Sequence, residues 1–464
     1  MTADDDLPAK RDILKLSFAT AGLVWYTFLW SLGLLGCWAA RKRYRLRPRS
    51  PLASSGPGDV PGVSILRPLK GLDPNLYENL ESTFTQEYPN FEIFFTVADE
   101  HDQALAVVRD LIAKYPHVNA HIVTGEEVVG VNPKVNNLVK AYRQASHDIL
   151  WVLDSNVMAD SGTLARSVDA LDGPPSAANN SRKRIALVHH VPFAFATEPA
   201  LGSHVEQAFL NTNHAKMYIA INTVAIDSCV VGKSNLYRKS DLERVDGTLK
   251  PATASSGAPR ETGLVAFGRF LAEDNMIASA LWHELDVRHD ISCDVAHNAV
   301  GNMTIADYFW RRVRWIRVRK HMVLAATLIE PFTESIVAGT IAGLSLRYFL
   351  GLPLWLFLPL HFAAWLFVDL DVYESLAGHP VPPGATKWKF IGAWVLREGL
   401  AFPIWSYAIW GSTVDWRGKA YVVMRNGEVR RATRDDRNGW LRWIPWASGR
   451  KDTASYEPVD LAQD

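Results

Sequence analysis

The sequence predicts an α/β domain with a mostly parallel sheet, tied to a membrane by one N-terminal spanning helix and by C-terminal spanning or interfacial helices. Three observations predict it. Residues 16–40 run for 25 positions without a charge, and six basic residues follow between Arg41 and Arg49. Short Val-, Ile- and Phe-rich runs alternate with helical patterns through the middle of the chain, as βαβ units do. A second apolar zone fills residues 335–410 and holds Trp355, Trp365, Trp388, Trp394, Trp405 and Trp410 of the chain's 17 tryptophans.

The whole-chain averages conceal this division. The 464 residues carry 49 Lys and Arg against 49 Asp and Glu, and 48% of them are hydrophobic. This balance excludes a disordered chain and a basic nucleic-acid binder. Three cysteines, Cys37, Cys229 and Cys293, are too few and too scattered for a disulfide scaffold.

Taken in order, residues 1–15 form a short leader with three consecutive acids, Asp4 to Asp6. Residues 16–40 suffice for a spanning helix, which needs about 20 apolar residues, and exceed the apolar core of a cleaved signal peptide. The basic linker, 41–61, places the anchor's C-terminal end in the cytosol by the positive-inside rule. Residues 62–310 form the α/β domain. Strands are expected at 63–66, 91–98, 118–123, 149–153 and 185–189, with helices at 74–86, 103–114, 134–145 and 276–283. Residues 172–183 and 249–263 read as surface insertions. Residues 311–330 hold a second basic cluster, an interfacial segment.

Residues 331–411 read as a tight apolar hairpin followed by one further membrane segment. Arg397 and Glu398 in the latter are either adjacent charges on an interfacial helix or an intramembrane polar pair lining a path for a lipid. The tail, 412–464, has two possible sides. Four crossings place it across the membrane from the domain; a re-entrant or interfacial segment places it on the domain's side, where it can close over the site.

In open parallel sheets ligands bind beyond the carboxyl ends of the strands. Asp99 follows the strand 91–98, and Asp154 follows 149–153. Carboxylates there suit a nucleotide and a hard divalent ion. Each alone is equally a turn residue. Glu273 and Asp274 precede a helix, where acids also suit the macrodipole. The run RRVRW at 311–315 offers guanidinium forks for phosphate and a flat indole, or simply a basic membrane-surface helix. The GKS at 232–234 is not a phosphate-binding P-loop, because Asp227 stands where that loop needs glycine.

The ordered set Asp99, Asp154, Asp274 and Arg311-x-x-Arg314-Trp315 resembles the D, D, D, (Q/R)xxRW signature of membrane-bound, inverting GT-A glycosyltransferases. VNPKVNN at 131–137, WVLDS at 151–155 and AED at 272–274 resemble the ceramide glucosyltransferase family more closely, from about Val63 through residue 315 and more loosely to Tyr421. The resemblance implies a GT-A, Rossmann-like fold and transfer of glucose from UDP-glucose to the primary hydroxyl of ceramide, with inversion. It implies a Golgi or ER membrane, with the domain facing the cytosol.

By the same resemblance Asp274 is the general base. Asp99, Lys134, Asp154, Arg311 and Arg314 bind the donor. Trp315, His214 and Cys229 lie at the acceptor. Asp154 and Asn156 hold a divalent ion, Mn2+ or Mg2+, although the metal sites of many such enzymes carry Asp-x-Asp and this chain has Asp-Ser-Asn. The expected partners are ceramide, membrane lipid and UDP-glucose, with no nucleic acid; the oligomeric state is not legible. Two alternatives remain: a related transferase acting on a polyprenyl phosphate or sterol, and an inactive nucleotide-sugar-binding protein.

Overall fold

The computed structural model describes residues 6–173, 183–249, 261–416, 419–424 and 426–433. Most of the two expected insertions and most of the tail lie outside the described residues.

Helix α1 (Asp6–Tyr44) runs through the anchor and into the basic residues. Arg41, Lys42 and Arg43 in its last turn complement the negative helix end and so prolong it. Then follow β1 (Val63–Leu69), α2 (Leu76–Phe84), β2 (Phe91–Val97), α3 (Ala104–Lys114), β3 (Asn119–Thr124), α4 (Pro133–Gln144) and β4 (Ile149–Leu153). These match the sequence expectations to within a few residues. Next come β5 (Val157–Met158), α5 (Thr163–Asp172), β6 (Ile185–Ala196), α6 (Leu201–Phe209), α7 (Ala215–Val224), β7 (Ser234–Arg238), α8 (Lys239–Leu242), α9 (Glu273–Glu284) and β8 (Arg288–Val300).

The strands form one sheet in the order β3-β2-β1-β4-β7-β6-β8-β5. β1 pairs in parallel with β2 and β4, and β2 with β3. β7 runs antiparallel to both β4 and β6. All five residues of β4 are buried, which explains its unbroken apolar sequence. One apolar layer packs α2, α3 and α5 on the sheet, and another packs α4 and α9 on the opposite face. β6 is longer than its expected span, 185–189. Pro192 obscured the continuation, yet β7 pairs only with Leu187 to His189, so beyond that point β6 has a free edge that tolerates proline.

Helix α10 (Ile305–Met322) starts on a capping box between Thr304 and Asp307. α11 (Leu324–Ile329), α12 (Ser335–Leu350), α13 (Leu354–Ala377) and α14 (Ala385–Ile409) follow. Among the described residues α1 and α13 are long and apolar enough to span a membrane. The stretches Leu324–Thr333 and Ser335–Leu350 meet at 66°, as in a broken span or a re-entrant loop. Residues 391–410, read as a further membrane segment, belong to α14, which packs on α6 and α10 and is not among those spanning candidates.

A third core joins the ends of α1, α6, α7, α10, α13 and α14, so the domain and the membrane helices share one interior. The tail begins with an antiparallel sheet of β9 (Thr413–Trp416), β10 (Lys419–Val423) and β11 (Val429–Arg431). Its apolar face, Val414, Tyr421, Val423 and Val429, rests on Val131, Leu271 and Val318. The described tail therefore lies against the catalytic domain, the second of the two arrangements left open by the sequence.

Candidate active site

Local rules place three charged side chains at one point. Asn132 caps α4, its side-chain oxygen accepting from Lys134 N at 2.8 Å, and Pro133 follows at the first helical position. Lys134 thus sits in the first turn, where the positive helix end disfavours a cation. Two carboxylates overrule that preference for the lysine. Its ammonium lies 2.9 Å from Asp154 Oδ1 and 3.0 Å from Glu273 Oε1. Asn132 Nδ2 donates to Glu273 Oε2 at 2.8 Å and fixes that carboxylate.

Asp154 emerges from the end of β4. The β4–β7 register pairs Leu153 with Ser234, which sets Lys233 beside Asp154, and Asp154 N donates to Lys233 O at 3.1 Å. Lys233 Nζ donates to Asp154 Oδ2 and to Asn156 Oδ1, each at 3.0 Å. Burial alone would raise the Asp154 pKa, but the Lys134 and Lys233 ammonium groups outweigh it and hold the carboxyl well below the usual range. Burial also disfavours the charge on Lys134, yet Asp154, Glu273 and Asp274 together hold it charged well beyond its ordinary range.

Asp274 lies in the first turn of α9, next to Glu273. Burial, then the Glu273 charge, push its pKa up to about 7, against the pull of Lys134. Gly232 is what lets it approach, since a Cβ there would stand 2.3 Å from Asp274 Oδ2. A carboxylate poised near neutrality is suited to general base catalysis.

A second, mostly aromatic group adjoins the first. Arg311 and Trp315 lie one turn apart on α10, with the guanidinium 5.0 Å from the indole centre. Arg311 Nε also donates to the buried Glu206 at 2.8 Å. Arg314 shares that face of α10 by spacing. His214 stacks on Tyr218, with ring centres 5.6 Å apart, and lies 6.3 Å from Trp315. Burial, then the charges of Arg312, Arg319 and Arg397, push the His214 pKa down to about 3, so the ring is neutral near pH 7. Its Nδ1 is buried without a hydrogen-bond partner among the described residues. The Tyr218 hydroxyl accepts from Val231 N at 3.0 Å and so joins this group to the loop that carries Gly232 and Lys233.

The structure therefore brings Lys134, Asp154, Asn156 and Asp274 together and sets Arg311, Trp315 and His214 beside them. Asp99 stands apart. It is exposed at the end of β2, across β1 from Asp154, and its carboxylate accepts from His101 N at 2.9 Å. Cys229 donates its N–H to His289 Nε2 at 3.3 Å, and burial pushes its thiol up to about 11. A thiol so raised is not a nucleophile. Lys233 was missed by the sequence reading, which weighed it only as part of a false P-loop. The available signal was its place one residue before a strand.

The residues fit a divalent ion by the chemistry of their donors. A carboxylate oxygen and an amide oxygen, Asp154 Oδ2 and Asn156 Oδ1, already converge on one cationic group. Two such oxygens suit a hard ion that completes its shell with substrate phosphates. Among the described residues no group of three or more His, Cys, Asp or Glu converges to hold a metal by itself.

Comparison with known proteins places the chain in a family. The profile of glycosyl transferase family 21 matches residues 24–429. The ceramide glucosyltransferase of Komagataella phaffii is 37% identical, with 88% of this chain and 91% of that protein covered. That of Candida albicans is 34% identical, with 79% and 87% covered. Among solved structures, a mannosyltransferase from Pyrobaculum calidifontis in complex with GDP-Man and Mn2+ aligns with a TM-score of 0.44 at 19% identity, covering 84% of this chain and 96% of that one. The chain belongs to glycosyl transferase family 21, the family of the ceramide glucosyltransferases it matches.

Proposed function

We propose that the protein transfers glucose from UDP-glucose to the primary hydroxyl of ceramide, with inversion, at the cytosolic face of a Golgi or ER membrane. One observation carries the mechanism: Asp274, with its pKa near 7, stands beside a charged cluster suited to a diphosphate. An alkyl hydroxyl has a high pKa, so a base must take its proton as it attacks the anomeric carbon. Asp274 takes that proton, which contributes about 10²–10⁴-fold to the rate.

Lys134, with Arg311 and Arg314, offsets the charge that develops on the leaving diphosphate. Asp154 and Asn156 would hold a divalent ion, which supplies further charge stabilisation there. A single displacement turns the α-linked donor into a β-glucoside and needs no protein nucleophile. Trp315 offers the acceptor a flat apolar surface, and the unpartnered Nδ1 of the neutral His214 offers a polar contact. Asp99 is proposed to meet the nucleotide at its outer edge, and Cys229 to border the acceptor.

The interior shared by the domain and the membrane helices supports a lipid acceptor, because a domain packed on such helices works beside the bilayer. The test is incubation of the purified protein with labelled UDP-glucose and ceramide, a sterol or a polyprenyl phosphate. The expected result is label in ceramide alone; label in another lipid, or in none, overturns the assignment. The cytosolic side is checked at Asn302, exposed in a sequon just before α10. Glycosidase treatment of the protein from cells should leave its electrophoretic mobility unchanged, whereas an N-glycan at Asn302 places the domain in the lumen.

A further inference from the structure

We infer that Lys233 is the internal counter-cation of the site, holding Asp154 and Asn156 and giving way when a divalent ion and the donor's diphosphate bind together. The inference rests on the proposed reading of Asp154 as a metal residue and adds a residue and a binding order to it.

The geometry points to competition for the same atoms. Asp154 Oδ2 and Asn156 Oδ1 both accept from the single ammonium of Lys233, at 3.0 Å each. The other carboxylate oxygen, Oδ1, is engaged by Lys134 at 2.9 Å. A divalent ion reaching this pair meets a cation already in place. Two positive charges cannot share those oxygens, so the ammonium must leave.

Lys233 is built to leave. Its backbone is fixed, with the carbonyl accepting from Asp154 N, while the ammonium ends a flexible four-carbon stem. The displaced ammonium stays in a largely buried pocket, with a side chain 14% exposed and Arg311 close enough to disfavour its charge. Such a cation needs an anion, and the donor's diphosphate is the anion that arrives. Ion and nucleotide thus each remove an obstacle to the other, which is positive linkage. The ion binds weakly without nucleotide, and the lysine is the reason.

The test is Mn2+ binding to the full-length protein in detergent, read from the electron paramagnetic resonance of free Mn2+, with and without UDP. Wild type should bind Mn2+ weakly alone and at least about tenfold more tightly with saturating UDP, the scale of one charge-assisted contact. Lys233→Met should bind Mn2+ alone roughly tenfold more tightly than wild type and gain less from UDP. Lys233→Gln, which keeps a donor without the charge, should fall between them, and gel filtration confirms that both variants are folded. Asp154→Asn should lose Mn2+ binding in every condition. Unchanged or weaker Mn2+ affinity in both lysine variants, with binding lost in Asp154→Asn, overturns the role of Lys233 and leaves the metal reading standing. Unchanged binding in Asp154→Asn overturns the metal reading and this inference with it.

Discussion

Two groups of buried charge differ in what answers them. Around Asp154 the partners are Lys134 and Lys233, and the Lys233 and Asp154 side chains are 14% and 22% exposed. In the membrane-proximal core Arg397 is 2% exposed and bonds Glu398 at 2.6 Å and Glu334 at 2.7 Å. Ser335 Oγ donates to Glu398 at 2.5 Å. Nearby, Lys216 bonds Asp369 at 2.7 Å, and Trp394 donates to the other oxygen of Asp369 at 2.8 Å. The core network is closed: fixed donors of the protein answer its carboxylates. The site is answered by two lysines, whose ammonium groups end flexible four-carbon stems and can also meet a substrate's negative charge. Similar ion pairs therefore serve as a fastener in one place and as a set of exchangeable contacts in the other.

The largest expected effect tests the exchangeable side. Asp274→Asn should retain binding of UDP-glucose, measured calorimetrically, while transfer falls by about 10²–10⁴-fold. The closed side should fail differently. Arg397→Ala leaves Glu334 and Glu398 buried without their partner and should cost about 3–5 kcal/mol of stability. Its melting temperature in detergent should drop sharply, while that of Lys134→Met drops less and its KM for the donor rises. An Arg397→Ala protein with normal stability would erase the contrast.

A smaller effect probes placement alone. Gly232→Ala sets a methyl group against Asp274 and should lower kcat by about 10²-fold or less, with donor KM little changed. Smallest is the pH response. Asp274 must be ionised to act as base, and its raised pKa means that proton uptake begins near neutrality, so kcat/KM should climb from pH 6 to pH 8 with a midpoint near 7. Of the charged groups facing it, Lys134 is held charged far above that window and Asp154 ionised well below it, so the residual activity of Asp274→Asn should be flat there.

The sequence made the parallel half of the sheet legible because its strands are short apolar runs ended by acids and separated by amphipathic helices. Asp154 and Asp274 were legible as acids at a strand end and a helix start, whereas Lys134 came only through the family resemblance and its contact with Asp154 from the fold. Lys233 was not, because its contact depends on the antiparallel register of β4 and β7, strands 80 residues apart in the chain. The Arg311–Glu206 pair spans 105 residues and carries no local signal either. Charge counts left the tail ambiguous; a small apolar face, with Val414 and Tyr421 seated on Val131 and Leu271, decides it. Helix α14 is not among the spanning candidates, and it packs on α6 and α10.

The central claim is one direct displacement assisted by Asp274. The anomeric configuration of the product, read by proton magnetic resonance of glycolipid made by the purified enzyme from UDP-glucose and ceramide, tests it most directly. The account predicts a β-glucoside from wild type; an α-glucoside would require a second displacement or a protein nucleophile and would contradict it.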